Sequence, residues 1–393
     1  MRVLKLFDGD YPWDVRVEKV AAALAAAGHE VRLLCRNRAG RERQVRDPMG
    51  FEIVRLPALP GPLTFPFFLS PVWALALREQ IASFRPDRLV VRDLPLAPLA
   101  LALGQRARIP VIADLAEPYP DSLRSRLEFE RLSFLSRLAR NPRAADFIER
   151  QVVRRIDRAL VVCPEAGQRL ELRGLPRGRW VEVGNTPRLA SFAPKGGPTP
   201  EFDGFAGRCT LFFSGLLAGD RGLEVAIDAL ALLAAREPQR YALVIVGEGP
   251  MRAPLAAQAR RLGLSDSVRL PGFIGHDRLP DLIVRADIGL LPFHACPHIN
   301  ATLANKLFEY MALALPVIVS DVPPMLRVLA ETGCGLSFRS RDAADLARQI
   351  ECLARDPDAA RRHGEAGAEA VRERYHWEVD AARLTAAVEA PRA

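Results

Sequence analysis

A chain of 393 residues with 49% apolar content exceeds what one hydrophobic core ordinarily serves, so two domains are expected. Its formal charge of +8 suits phosphate groups or an anionic surface, but no nucleic-acid-binding module accompanies it and no nucleic-acid partner is expected. The six cysteines stand singly, without metal-ligand spacing, and read as reduced thiols rather than a zinc module.

In chain order, MRVLKLFDGD turns acidic after a short apolar run, which reads as a first strand rather than a signal peptide and favours the cytoplasm. A helix is expected from about Val15 to Ala27, then a strand, HEVRLLC. Between Arg55 and Arg78 lie 22 uncharged residues, the length of a membrane span. Pro57, Pro60, Pro62, Pro66 and Pro71 argue instead for a buried or membrane-touching loop. DRLVV and PVIAD continue the alternation, which points to a parallel sheet covered on both faces. From Leu123 to Arg143 arginines interleave with leucine and phenylalanine, as in an ordinary amphipathic helix or in one that lies on an anionic lipid surface. After this helix-rich stretch RALVVC and WVEV close a first domain, 1–185.

Residues 186–208, TPRLASFAPKGGPTPEFDGFAGR, read as a linker. The alternation then restarts with CTLFFSG, a helix from Leu223 to Ala235, YALVIVGEG, a helix around Ala253 to Leu262, SVRLPG, ADIGLLP, LPVIVSD and CGLSF. A second doubly wound domain over 209–370 accounts for this, followed by closing helices. The fold class is therefore α/β. In open α/β sheets ligands settle outside the carboxyl ends of strands, so site residues are sought there.

In FFSGLLAGDRGLEVAIDALALL a strand ends at Ser214 and Gly215 and a helix begins near Gly222. Glycines admit a ligand close to the backbone, and a helix start offers N–H groups to phosphate. Arg221 adds charge there, or is simply solvated. In HINATLANKLFEYMALALPVIVSD, Glu309 falls within a helix expected to start near Thr302 with Asn300 as its cap. Its carboxylate can accept from two ribose hydroxyls, or can be an exposed helix glutamate. Asp14, Arg16 and Glu18 follow the first strand, with Asp14 also a candidate helix cap. Asp8 and Asp10 form a DxD of the kind that can hold a divalent ion.

The chain resembles the GT-B fold retaining glycosyltransferases of family 4 (glycosyl transferases group 1) from Met1 to Glu389. The resemblance is carried by YPWDVRVEKVAAALAAAGHEV, PVIADLAEPYP, the GxxxxDRGLE run from Gly215 to Glu224, VIVGEGP and ANKLFEYMALALPVIVSD. ANKLFEYM resembles a branch that builds surface polysaccharides. The resemblance implies two Rossmann-like domains facing across a cleft, the N-terminal one on the acceptor side, with a helix from 371–393 crossing back to it. It also implies a nucleotide diphosphate sugar as donor, a glycan or polyprenyl-linked acceptor, and no metal or other cofactor. A peripheral position on the inner face of the plasma membrane would fit such an acceptor.

By the resemblance, Glu309 holds the donor ribose and Arg221 contacts the diphosphate. The backbone of Leu303, Ala304 and Asn305 touches diphosphate and sugar, Gly215 lies in the glycine turn, and Phe273 and Ile274 border the base. Asp14, Arg16 and Asp114 fall on the acceptor side. Three positions depart from the commonest pattern: Ala301 replaces a glutamate, Leu216 an arginine and Ala116 a histidine. Glu117 and Asp114 are placed to cover in part for the histidine, and Lys306 to supply the charge that Leu216 cannot. A non-catalytic nucleotide-sugar-binding scaffold and a nucleotide-sugar 2-epimerase are the alternatives; the second calls for a denser set of acids and bases.

Overall fold

The computed structural model describes residues 1–12, 14–59, 70–129 and 141–392, and these divide into two compact units. The first takes the described residues up to 123, those from 141 to 184 and those from 378 onward; the second takes 124–129 and 185–377.

The first unit is built on eight strands: β1 (Arg2–Asp10), β2 (Glu30–Arg36), β3 (Gln44–Arg46), β4 (Glu52–Arg55), β5 (Arg88–Arg92), β6 (Val111–Asp114), β7 (Arg158–Val161) and β8 (Trp180–Glu182). They lie in the order β3-β4-β2-β1-β5-β6-β7-β8. Every neighbouring pair is parallel except β3 with β4. The apolar runs read as strands are covered on both faces, and Val3, Leu4, Leu89 and Val90 are fully buried. The hairpin β3–β4 was not legible, because QVR at the sheet edge is short and largely exposed. Helix Val15–Ala26 starts where Asp14 accepts the Val17 N–H at 2.9 Å.

The last helix, Trp377–Glu389, brings its end to this unit through arginines on its last carbonyls. Arg88 donates to the carbonyls of Val388 and Ala390, each at 3.2 Å, and Arg158 donates to that of Ala387 at 2.6 Å. The grouping with this unit starts at Glu378 rather than 371. Helix Pro357–Glu373 stays with the second unit, where Tyr375 stacks on Phe308 with ring centroids 4.8 Å apart.

The second unit has six parallel strands, β9 (Cys209–Ser214), β10 (Tyr241–Val246), β11 (Val268–Gly272), β12 (Ile288–Leu291), β13 (Val317–Ser320) and β14 (Gly335–Phe338), in the order β11-β10-β9-β12-β13-β14. Counted from β9 this is 3-2-1-4-5-6, so the winding reverses between β9 and β12, and ligands of such sheets bind at that point. Residues 124–129 group with this unit, contrary to a boundary at 185. Ser125 Oγ donates to Asp220 Oδ2 at 3.0 Å, and Phe129 stacks on His294 with centroids 5.5 Å apart.

Residues 60–69 and 130–140 lie outside those described, and with them about half of the two stretches read as membrane-touching. Helix Pro71–Phe84 begins at the last of the five prolines. Among the described residues no helix is long and apolar enough to cross a membrane.

Candidate functional site

At the winding reversal β9 ends at Ser214 and the chain turns through Gly215 at φ +135°. A Cβ there would lie 2.6 Å from Lys306 Nζ, so the ammonium rests against bare backbone. The turn Gly219–Arg221 follows, then Gly222 at φ +63°, where a Cβ would come within 2.0 Å of the Pro292 carbonyl oxygen. Only glycine fits, and this close approach brings helix Leu223–Arg236 and Arg221 onto the end of β12. The Arg221 guanidinium lies 4.9 Å from the centroid of Phe293, with Nε 3.5 Å from Asp220 Oδ1.

Asp220 is buried. Its Oδ2 accepts from Ser125 Oγ and lies 3.1 Å from His298 Nδ1. Burial opposes its charge, but the His298 hydrogen bond and the Arg221 cation outweigh that and hold the carboxyl well below the usual range.

Lys306 is in the first turn of helix Asn305–Ala312. Its Nζ lies 4.2 Å from the centroid of Phe213 and 5.2 Å from that of Phe293. Among the described residues no carboxylate reaches it within 4 Å. Burial, and then the nearby Arg221 charge, push its pKa down to about 7, with Glu309 and Asp220 opposing.

The helix does not begin near Thr302 with Asn300 as cap. Ile299–Ala301 form a separate turn in which the Asn300 N–H donates to the Cys296 carbonyl at 2.9 Å, and Ala304 stands at the cap with no side-chain bond to the helix. The first N–H groups, beside Leu303, Ala304 and Asn305, are therefore left for an anion.

One turn further, Glu309 is mostly buried, and a carboxylate oxygen lies 2.9 Å from His276 Nε2. The next residue fixes the helix to β9: the Ser214 N–H donates to the Tyr310 hydroxyl at 2.9 Å. His276 follows Phe273 and Ile274, the first of them 78% exposed, and packs on Phe192 with centroids 5.3 Å apart. The fold thus gathers Gly215, Arg221, Lys306 and Glu309 around one end of one sheet, with Phe273 and Ile274 connected to them through His276.

The first unit treats its expected residues differently. Arg16 and Asp114 are not open to an acceptor. They are 5% and 0% exposed, and Arg16 Nε and Nη2 donate to Asp114 Oδ1 at 2.9 and 2.7 Å while Lys5 Nζ reaches Oδ2 at 3.4 Å. Arg16 lies in the first helical turn, and its Nη1 also donates to the Val183 and Gly184 carbonyls. Burial resists the Asp114 charge, but Arg16 and Lys5 hold the carboxyl well below its usual range. Asp114 therefore cannot stand in for the histidine replaced by Ala116, itself buried, while Glu117 is exposed. Asp14 caps its helix and has Arg92 Nη2 at 3.8 Å. In the DxD, Asp10 accepts the Arg38 N–H at 2.7 Å. Among the described residues no group of three His, Cys, Asp or Glu side chains could hold a metal.

Sequence reasoning missed Asp220, His276, His298, Phe213 and Phe293. The two phenylalanines carried a signal, since each sits at or just after the carboxyl end of a strand flanking the reversal. The histidines carried none, because their partners are distant in sequence.

The family model described as "Glycosyl transferases group 1" matches residues 204–370, and that of the "Glycosyl transferase 4-like domain" matches 14–186. A glycogen synthase of Mycobacterium tuberculosis is 26% identical over 396 residues, covering 92% of this chain and 87% of its own. A phosphatidyl-myo-inositol mannosyltransferase of Mycobacterium leprae is 30% identical over 208 residues, 52% of each chain. Among solved structures, sucrose-phosphate synthase from Thermosynechococcus elongatus matches with a TM-score of 0.80 at 20% identity, covering 98% of this chain and 97% of that one. HepE from Anabaena, in complex with UDP and glucose, matches with a TM-score of 0.72 at 15% identity, covering 98% of both. The two family models together take in most of the sequence, and the protein is a glycosyltransferase of the GT-B, group 1 family.

Proposed function

We propose that the protein is a retaining, family 4 transferase that moves a sugar from a nucleotide diphosphate donor to a glycan or polyprenyl-linked acceptor, in synthesis of a surface polysaccharide or cell-envelope glycan. One observation carries the donor half: Arg221 and Lys306 share the ring of Phe293 beside an uncapped helix start, with Glu309 one turn away. Two cations and a set of free N–H groups match a diphosphate, and the carboxylate matches a ribose. The complex of HepE with UDP and glucose supports the same reading.

In this mechanism Arg221, Lys306 and the backbone of Leu303, Ala304 and Asn305 take up the charge that grows on the leaving diphosphate. These groups are fixed before reaction, which is how preorganised electrostatic stabilisation lowers a barrier. The chain's own cations, rather than a divalent ion, meet that charge. Phe273 and Ile274 border the base. The acceptor hydroxyl attacks from the face the diphosphate leaves, with Glu117 and Asp14 on the acceptor side. The names of the relatives span a glycogen synthase and a phosphatidyl-myo-inositol mannosyltransferase, which supports a glycan or a lipid-linked acceptor without choosing the lipid. A position on the inner face of the plasma membrane follows for a polyprenyl-linked one.

The test is a thermal-shift panel of UDP, GDP, ADP, CMP and dTDP against the protein and its Glu309→Ala variant. A ligand of the native state raises the midpoint by mass action. One nucleotide should raise it in the parent and not in the variant; no shift with any of them overturns the donor site.

A further inference from the structure

The chain holds 55 basic residues, of which only Lys5, Lys19, Lys195 and Lys306 are lysines. One of the four stands at the site. Arginine stays charged in proteins, whereas a desolvated lysine can lose its proton. Lys306 Nζ is walled by Phe213 at 4.2 Å and Phe293 at 5.2 Å, and it lies against the Gly215 backbone. Arg221 occupies the same Phe293 ring at 4.9 Å.

The neighbouring carboxylates are engaged elsewhere. Glu309, on the same helix, is bonded to His276. Asp220, from the turn before helix Leu223–Arg236, bonds Ser125 and His298 and lies against Arg221. Glu224 pairs with His294 at 2.5 Å. The third element, the end of β9, offers only the Ser214 backbone and hydroxyl, which are tied to Tyr310. A second positive charge beside Arg221 thus has two ring faces but no directly paired carboxylate until an anion arrives.

We propose that binding of the donor diphosphate is coupled to uptake of one proton by Lys306, so that the site carries one fixed cation when empty and two when loaded. This rests on the reading of the site as the donor-diphosphate site. The proton comes from solvent, and no bond in the donor is made or broken in the step. Its consequence is a site matched in charge to its ligand in both states: the empty pocket avoids two adjacent cations, and the loaded one sets both against the phosphates. The direction agrees with the lowered proton affinity of the empty-site lysine, about 7. Above that pH, affinity for a fully ionised nucleoside diphosphate should fall about tenfold per pH unit until the loaded lysine itself titrates.

Two measurements test this. Calorimetric titration of UDP and GDP between pH 8 and 9, where the probe's own phosphates are fully ionised, is run in buffers of different ionisation enthalpy. Uptake approaching one proton is expected in the parent protein, with about tenfold weaker binding at the higher pH. Both effects should vanish in Lys306→Arg, whose side chain stays charged with or without the nucleotide. In parallel, 13Cε-lysine NMR of the unliganded protein, with the resonance assigned by its loss in Lys306→Arg, should show Lys306 titrating near neutrality and moving up on adding the nucleotide. If the variant does not fold, the parent calorimetry alone decides. Binding without proton uptake, or an unliganded Lys306 that titrates near 10, overturns the coupling and leaves the donor site standing. Failure of UDP and GDP, and of ADP, CMP and dTDP titrated in their place, to bind overturns the donor site and the coupling with it.

Discussion

His276 Nε2 lies 2.9 Å from a carboxylate oxygen of Glu309, so the carboxylate proposed to read a ribose is engaged by an imidazole that is 55% exposed. Ribose hydroxyls replacing the imidazole would keep Glu309 satisfied. Glu309→Gln and Glu309→Ala should each weaken nucleotide binding about 10- to 100-fold, the cost of one charge-assisted hydrogen bond or more. The unliganded melting temperature should barely move. His276→Ala should leave affinity within about threefold. Calorimetry on the three variants checks this; a Glu309→Ala variant that binds normally removes the carboxylate from the site.

Arg221 is placed by Gly222, which only glycine can occupy, and by the Phe293 ring. Arg221→Ala should lower kcat/KM about 10²- to 10³-fold, as loss of a preorganised donor to a leaving group does, with some loss of melting temperature because the buried Asp220 Oδ1 loses the guanidinium beside it. Arg221→Lys should recover part of the activity. Nucleotide release during transfer is the readout, and an Ala variant of parental activity would dismiss the assignment.

Asp114 balances Lys5 and Arg16 inside the first unit, where none of the three is more than 5% exposed. Removing one partner of a buried ionic group leaves uncompensated charge at a cost of about 3–5 kcal/mol. Asp114→Ala should therefore lower the melting temperature by many degrees. Glu117→Ala, at an exposed position, should leave it unchanged, and differential scanning calorimetry separates the two.

The same carboxyl sets a pH dependence. Its ordinary value of 3.8 applies to the unfolded chain, while Arg16 and Lys5 hold it well below that in the fold. The unfolded chain therefore binds the extra proton, so stability rises with pH through the region just below 4 and is flat above it. Acid unfolding should begin as pH falls through that region, and Asp114→Asn should show a shallower dependence by nearly one proton. Urea unfolding midpoints from pH 2.5 to 5 measure the slope.

Both alternating strand–helix series and the glycine turn after β9 were legible from the sequence because each depends on local rules, whereas Arg221 and Glu309 were singled out through the family resemblance. Buried parallel strands are written as continuous apolar runs, and a backbone that must approach a ligand or a neighbouring chain is written as glycine. The start of helix Asn305–Ala312 was misplaced because a separate turn at Ile299–Ala301 uses residues that also look like a cap.

What only the tertiary structure decided is which polar groups meet. Asp114 reads the same whether it faces substrate or ion pairs, and its burial with Arg16 and Lys5 comes from residues 98 and 109 positions away. Likewise Ser125 and His298 reach Asp220 from 95 and 78 positions away. Nothing local to Lys306 announces that its ammonium will be walled by two phenylalanines from other strand ends. Sequence sets the periods and punctuation of the chain; the charge state and partners of a side chain depend on the dielectric and neighbours that packing brings to it.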